Sequence, residues 1–327
     1  MSGPPRANDA WDKQGERGSL GWIRFIVWGI RALGYRGLHL VVAPTALYFT
    51  LFGGTARQAS LDYLTRLRAV TGDPRPPGWL DVYRHVHDFA ECILDRLSLW
   101  SGSIDEFAFE LEGVEHLEKA LADGRGAFLV GAHVGSFDML RGIALDNDIP
   151  VNVIMYSANA EKINDAFETL DPGSKVRLIH ADPNSTSIGF EVGACLSRGE
   201  FVATLADRVP SENDERVRRA RFLGHETALP EGPFLLPLVL GVPCVLVVAI
   251  RTGPRAYRVH IEPIGDGERV PRAEREPELV RRVGVFVDHL ERFCRAHPTQ
   301  WFNFYDFWGP GRKADDVSNT DTGATVV

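Results

Sequence analysis

The feature that most constrains this fold is a series of short, mostly apolar segments bounded by turn residues and separated by stretches of helical spacing. They are 127–132 (AFLVGA), 150–156 (PVNVIMY), 175–180 (KVRLIH) and 200–206 (EFVATLA), with a longer one at 243–251. Continuous apolar runs of this length suit strands buried on both faces. Helices are expected between them at 136–147, 159–170 and 186–198, and an antiparallel partner for the last strand at 256–263. Such alternation predicts an α/β fold, a layered sheet flanked by helices. Further helices are expected at 57–70, 80–100, 114–123 and 277–297. The segment 71–79, with three prolines, reads as a rigid loop.

Ahead of this body the chain has a different character. From Gly37 to Ala56 there is no Asp, Glu, Lys or Arg. Twenty such residues approach the length of a bilayer span. Pro44, His39 and the pair Gly53-Gly54 interrupt the run, which favours a re-entrant or interfacial segment over a straight span. Just before it, Trp22, Phe25, Ile26, Ile30 and Leu33 recur at helical spacing, while Arg24 and Arg31 lie on another face. That pattern suits an amphipathic helix lying in a membrane interface.

Charge follows the same division. The net −8 argues against a nucleic-acid partner, because phosphate binding normally shows as a basic domain. Residues 1–68 hold nine Lys/Arg and four Asp/Glu, a local +5, so the remainder carries −13. A basic, apolar front suits an anionic membrane face. The expected organisation is a polar arm at 1–18, a membrane-associating helical segment at 19–56, a catalytic domain at 57–308 and a polar tail at 309–327. No secretory signal is read in the first residues. Cys92, Cys195, Cys244 and Cys294 lie far apart without metal-ligand spacing, so they read as reduced thiols and no metal site is expected.

The stretch most suggestive of chemistry is Gly131-Ala132-His133-Val134-Gly135-Ser136-Phe137-Asp138. A buried strand delivers His133 to its carboxyl end, where open α/β sheets place their sites. A carboxylate at Asp138, early in the following helix, could turn back to one imidazole nitrogen and leave the other free as a base. The N–H groups of Gly135 and Ser136, at that helix's start, could meet a developing oxyanion. Asp207-Arg208 ends the strand at 200–206 and opens on the same edge; Arg208 could bind a phosphate or polarise a carbonyl. The run Arg216, Arg218, Arg219 and Arg221, preceded by Glu212, Asp214 and Glu215, reads as a solvated loop or as a docking arm for a phosphate-rich donor. No Gly-x-Ser-x-Gly elbow and no GxxxxGK[ST] occurs, and Gly124-Arg125-Gly126 precedes a strand instead of following one.

With these motifs in this order, the chain resembles the late acyltransferases of lipid A biosynthesis (lauroyl/myristoyl type). These belong to the lysophospholipid acyltransferase superfamily, whose signature His-x4-Asp/Glu is matched by His133 and Asp138. The resemblance runs from about Trp11 to Trp308. It takes in Asp207-Arg208, Arg221-Phe222-Leu223-Gly224, Leu229-Pro230-Glu231-Gly232-Pro233, and the aromatic segment Trp301-Phe302-Asn303-Phe304-Tyr305-Asp306-Phe307-Trp308. That last segment reads as core-closing, or as a wall of an acyl channel. Val134 and Asp138 depart from the aromatic residue and Glu usual in the lipid A enzymes. They bring the chain closer to a branch found with aryl-polyene-like lipid pathways. Glu231 echoes the acceptor region of the glycerolipid branch, although Pro233 stands where Thr is usual there.

The resemblance implies a glycerol-3-phosphate acyltransferase-like α/β domain at the cytoplasmic face of the inner membrane. It implies transfer of a fatty acyl group from acyl carrier protein or CoA to a hydroxyl or amine of a lipid acceptor. His133 would be general base, Asp138 its orienting partner, and Gly135, Ser136, Asp207, Arg208 and Glu231 oxyanion or substrate groups. The thioester is a co-substrate, and no other cofactor is implied. A scaffold with a decayed site and a thioesterase using the same dyad on water are the alternatives.

Overall fold

The computed structural model describes residues 20–100, 103–140, 150–155, 176–180, 187–209 and 216–309. The expected arm, nearly all of the tail, the helix at 159–170, most of that at 136–147 and the acidic residues before Arg216 lie outside them. So do the side chains of the amphipathic stretch at 20–33.

Seven strands form one sheet in the order β1-β9-β8-β2-β5-β3-β4. They are β1 (Ala108–Glu112), β2 (Phe128–Gly131), β3 (Val151–Met155), β4 (Val176–His180), β5 (Phe201–Leu205), β8 (Pro243–Gly253) and β9 (Ala256–Asp266). The pairs β8–β2, β2–β5, β5–β3, β3–β4 and β1–β9 are parallel, and β8–β9 is antiparallel. Strands β2 and β8 sit at the centre, and every residue of β2 is buried. One apolar layer lies on each face. The first is built from Phe128, Val130, Leu246 and Phe286, and the second from Leu129, Ala203, Val247 and Tyr257. The alternation of neighbouring residues between the two layers is the period-2 geometry of a strand covered on both sides.

The expected strands are present to within a few residues, and the α/β layered architecture with them. Three strands and the helix Gly232–Leu240 are additions to the expected elements. The edge strand β1 is not among the expected strands, because two glutamates break the apolar run of AFELE and the strand is mostly exposed. The arginine run is not a loop: Val217–Phe222 is β6, paired in a hairpin with β7 (His225–Pro230). Its charges pair across the hairpin and beyond it. Arg219 meets Glu226, and Arg218 bridges Glu231 and Glu276.

The helices are α1 (Leu20–Phe52), α2 (Gly54–Thr71), α3 (Trp79–Trp100), α4 (Glu115–Ala122), α5 (Ser187–Ser197), α6 (Gly232–Leu240) and α7 (Arg275–Ala296). Helix α1 breaks at Gly34, whose φ of 66° is non-helical, and contains Pro44. Among the described residues no single helix is long and apolar enough to cross a membrane. The apolar stretch is a bent pair, Gly37–Phe52 and Gly54–Thr71, at 91°. Val42, Ala46 and Thr50 face inward at four-residue spacing, yet Leu40, Leu47, Tyr48, Leu51 and Phe52 on the outer side are apolar and exposed. A helix apolar all round needs a second apolar environment. Trp79 and Leu80, at the start of α3, are exposed as well.

A buried polar cluster fastens α1 to the body. Arg251 on β8 donates to Asp95 and Glu91 of α3, both at 2.7 Å. The Asp95 carboxylate also accepts from Tyr35 of α1 and Tyr257 of β9. His39 of α1 lies 2.8 Å from Glu91. Such a network fixes a unique docking even where its net energy is small.

Candidate active site

Strands β2 and β5 are parallel neighbours with Gly131 in register with Leu205. Two residues beyond each lie His133 and Asp207, so the register alone brings them side by side at the carboxyl edge of the sheet. His133 Nδ1 is 2.8 Å from Asp207 Oδ1, and the His133 backbone N–H donates to Asp207 Oδ2 at 2.9 Å. The Trp301 indole N–H donates to the same Oδ2, also at 2.9 Å.

Asp207 is fully buried. Burial by itself would raise its carboxyl pKa. The charge of the facing imidazole and its hydrogen bond, with Arg208 and the indole, outweigh burial and hold the carboxyl well below the usual carboxylate range. The ionised carboxylate accepts from three N–H donors, so Nδ1 carries a proton, and in the neutral ring the lone pair falls on Nε2. The imidazole is 28 % exposed, and no group among the described residues occupies Nε2. A buried acid fixing the tautomer of a half-exposed histidine is the arrangement of a general base.

Asp138 is placed elsewhere. Its carboxylate lies 3.0 Å from Arg96 Nε on α3, and no contact among the described residues joins it to His133. The imidazole is met by Asp207 and not by the expected Asp138, because strand register brings Asp207 directly beside it. The expected oxyanion groups are also spent. Gly135 N–H donates to Gln300 C=O at 2.7 Å, and Ser136 N–H to Ala249 C=O at 2.9 Å. These bonds tie the His133 loop to β8 on one side and to the segment 300–303 on the other.

Arg208 remains at the site. Its Nη2 donates to Phe302 C=O at 2.7 Å, and its guanidinium lies 5.1 Å from the Tyr305 ring centre. Its Nε is buried with no partner among the described residues. Glu231 is tied to Arg218 at 2.7 Å, and its backbone opens α6. No described contact connects it to His133.

Sequence reasoning missed the role of Trp301. The residue is 1 % exposed and sits among Tyr63, Phe222, Phe307 and Trp308 with ring centres 4.9–6.0 Å apart. The aromatic segment thus closes the core, as its composition suggests, and also supplies a hydrogen bond to the acid. The legible signal was the single polar atom of an otherwise apolar residue, which needs a partner when buried.

The family model described as bacterial lipid A biosynthesis acyltransferase matches residues 86–309, a span that contains β1 to β9, His133, Asp207 and Trp301. The chain belongs to this family. It is an enzyme that transfers acyl groups other than aminoacyl groups, and the family is membrane-associated with a lipid acceptor and an acyl thioester donor. No curated protein matches the chain. The four cysteines of this acyltransferase are free and buried. Burial raises the thiols of Cys92 and Cys244 to about 12, which keeps them protonated and poorly nucleophilic.

Proposed function

We propose that this acyltransferase moves a fatty acyl group from acyl carrier protein or CoA to a hydroxyl or amine of a membrane lipid, with His133 as general base. The observation that carries this is the Asp207–His133 pair, with no partner on Nε2 among the described residues. The acceptor's O–H or N–H loses its proton to Nε2 as its heteroatom attacks the thioester carbonyl. Asp207 faces the resulting imidazolium. Collapse of the tetrahedral adduct breaks the C–S bond, and the departing thiolate recovers the proton from His133. Arg208, adjacent to Asp207, is the cation that would meet the oxyanion in place of the Gly135 and Ser136 N–H groups.

Val134 and Asp138 support placing the chain closer to the branch found with aryl-polyene-like lipid pathways, with an acceptor other than lipid A. We further place the enzyme on the cytoplasmic face of the inner membrane, with residues 19–56 as the membrane-associating part and 57–308 as the catalytic domain.

Incubation of the enzyme with a labelled acyl thioester, with and without a glycolipid extract, tests the reading. Label moves into lipid, and thioester loss depends on acceptor. Loss at equal rates without acceptor would make the protein a thioesterase.

The outer face of α1 supplies a separate check. The double variant Phe49→Ser/Phe52→Ser weakens co-sedimentation with anionic vesicles by about 10-fold or more, given ~1.5–3 kcal/mol for fully burying a phenylalanine. Unchanged binding would move the membrane contact elsewhere.

A further inference from the structure

Trp301 touches both halves of the pair. Its indole donates to Asp207, while its backbone forms an antiparallel bridge with Val134. The next residue's N–H donates to His133 C=O at 2.7 Å. The preceding residue, Gln300, accepts from Gly135 N–H, and its side-chain amide brackets the Arg251 backbone. Trp301 is itself anchored from the far side. Its carbonyl accepts from His85 Nε2 at 2.8 Å, and Ser60 lies 2.8 Å from His85 Nδ1. Burial lowers the pKa of His85 to about 4, so the ring stays neutral, with Nε2 as donor and Nδ1 accepting from the Ser60 hydroxyl. Helices α2 and α3 thereby hold Trp301, and Trp301 holds the acid and the base loop.

We propose that Trp301 is a positioning residue for acyl transfer, setting the Asp207 carboxylate through its indole N–H and the His133 loop through its backbone. The proposal rests on the reading of His133 as general base. Three donors on one buried carboxylate leave it a single orientation. With two donors the carboxylate can rotate about χ2 and present either oxygen to Nδ1. Once the indole donor is gone, more of the carboxylate's charge also faces the imidazole and favours its protonated form, so the acidic limb of kcat/KM moves to higher pH. The other titratable or charged groups around the pair are Arg208, Cys294 of α7, Tyr305 and His85.

The test uses two variants of the full chain. Trp301→Phe removes the N–H and some volume. Replacement of Trp301 by β-(3-benzothienyl)alanine keeps the bicyclic shape and puts sulfur where the N–H was, so the fold is preserved. In the second variant the melting temperature holds, KM for the thioester is unchanged, kcat falls about 10-fold, and the acidic limb moves up. That fall is a part of the roughly 10²–10⁴-fold that a general base supplies. A wild-type kcat with an unmoved limb overturns the proposal, as does lost stability with the limb in place. His133→Ala runs in parallel. If it is fully active, the base reading itself fails; if it is inactive while the benzothienyl enzyme behaves as wild type, positioning by Trp301 alone fails.

Discussion

His133→Ala and Asp207→Asn each lower acyl transfer by about 10²–10⁴-fold, while Asp138→Asn costs at least 10-fold less than Asp207→Asn. The asymmetry follows from what each carboxylate touches. Asp207 is wholly buried and its oxygens are taken by Nδ1, the His133 backbone and Trp301. An amide at that position presents an N–H to at least one of these donors. The clash is relieved by turning the imidazole or by moving its proton to Nε2, and either removes the lone pair that accepts the substrate's proton. Asp138 instead meets Arg96 in a pair that is partly exposed, 35 % and 25 % for the two side chains. Pairs of that kind contribute about 0–1 kcal/mol. Its loss loosens the start of the chain after the loop without touching the imidazole. Initial rates of labelled acyl transfer, measured on variants with matched melting temperatures, decide between the two acids. An equal loss in Asp138→Asn and Asp207→Asn would return the orienting role to the His-x4-Asp motif.

That contrast also shows what sequence could and could not reach. A motif of His and Asp five residues apart is local, and local spacing suggested a helix folding its carboxylate back. The acid that pairs with His133 is 74 residues away, and only the β2–β5 register brings it there. The ingredients were legible: both strands are short apolar runs, and Asp207-Arg208 was already placed on the same sheet edge. The register offset was not, because parallel neighbours in an α/β sheet are set by crossover packing instead of by a turn. The same limit hid β1 and the β6–β7 hairpin. Charged residues interrupt their apolar positions, and the arginines of β6 make sense only against partners such as Glu226 and Glu276. The central strands are readable since burial on both faces makes nearly every position apolar, with Asn152 and Thr204 as buried exceptions. The two N–H groups assigned to an oxyanion hole were counted as free because a sequence shows donors but not the strand that accepts from them.

Gly135→Ala is expected to be among the most damaging added methyls at the described glycines. At φ 61° the backbone is left-handed, and an added Cβ would lie 1.9 Å from Ala249 O and 2.8 Å from Ala249 C. Those atoms belong to β8, a central strand paired on both sides, so they have nowhere to retreat. Gly124 separates the two costs, since its φ is 68° but a Cβ there meets nothing within 4 Å. Gly124→Ala therefore reports the conformational term alone, about 1–2 kcal/mol. Gly135→Ala adds the collision, for a total of about 3 kcal/mol or more. At roughly 2–4 °C per kcal/mol for a chain of this class, the melting temperature falls by at least about 6 °C, against about 2–8 °C for Gly124→Ala. The methyl also breaks the two bonds that fix the loop, Gly135 N–H to Gln300 and Ser136 N–H to Ala249. His133 then loses its place over Asp207, so the fraction of Gly135→Ala that remains folded transfers acyl groups poorly, whereas folded Gly124→Ala transfers them at the wild-type rate. Equal melting temperatures and equal rates for the two variants would mean that β8 does not confine the loop, and that the site's geometry is set elsewhere.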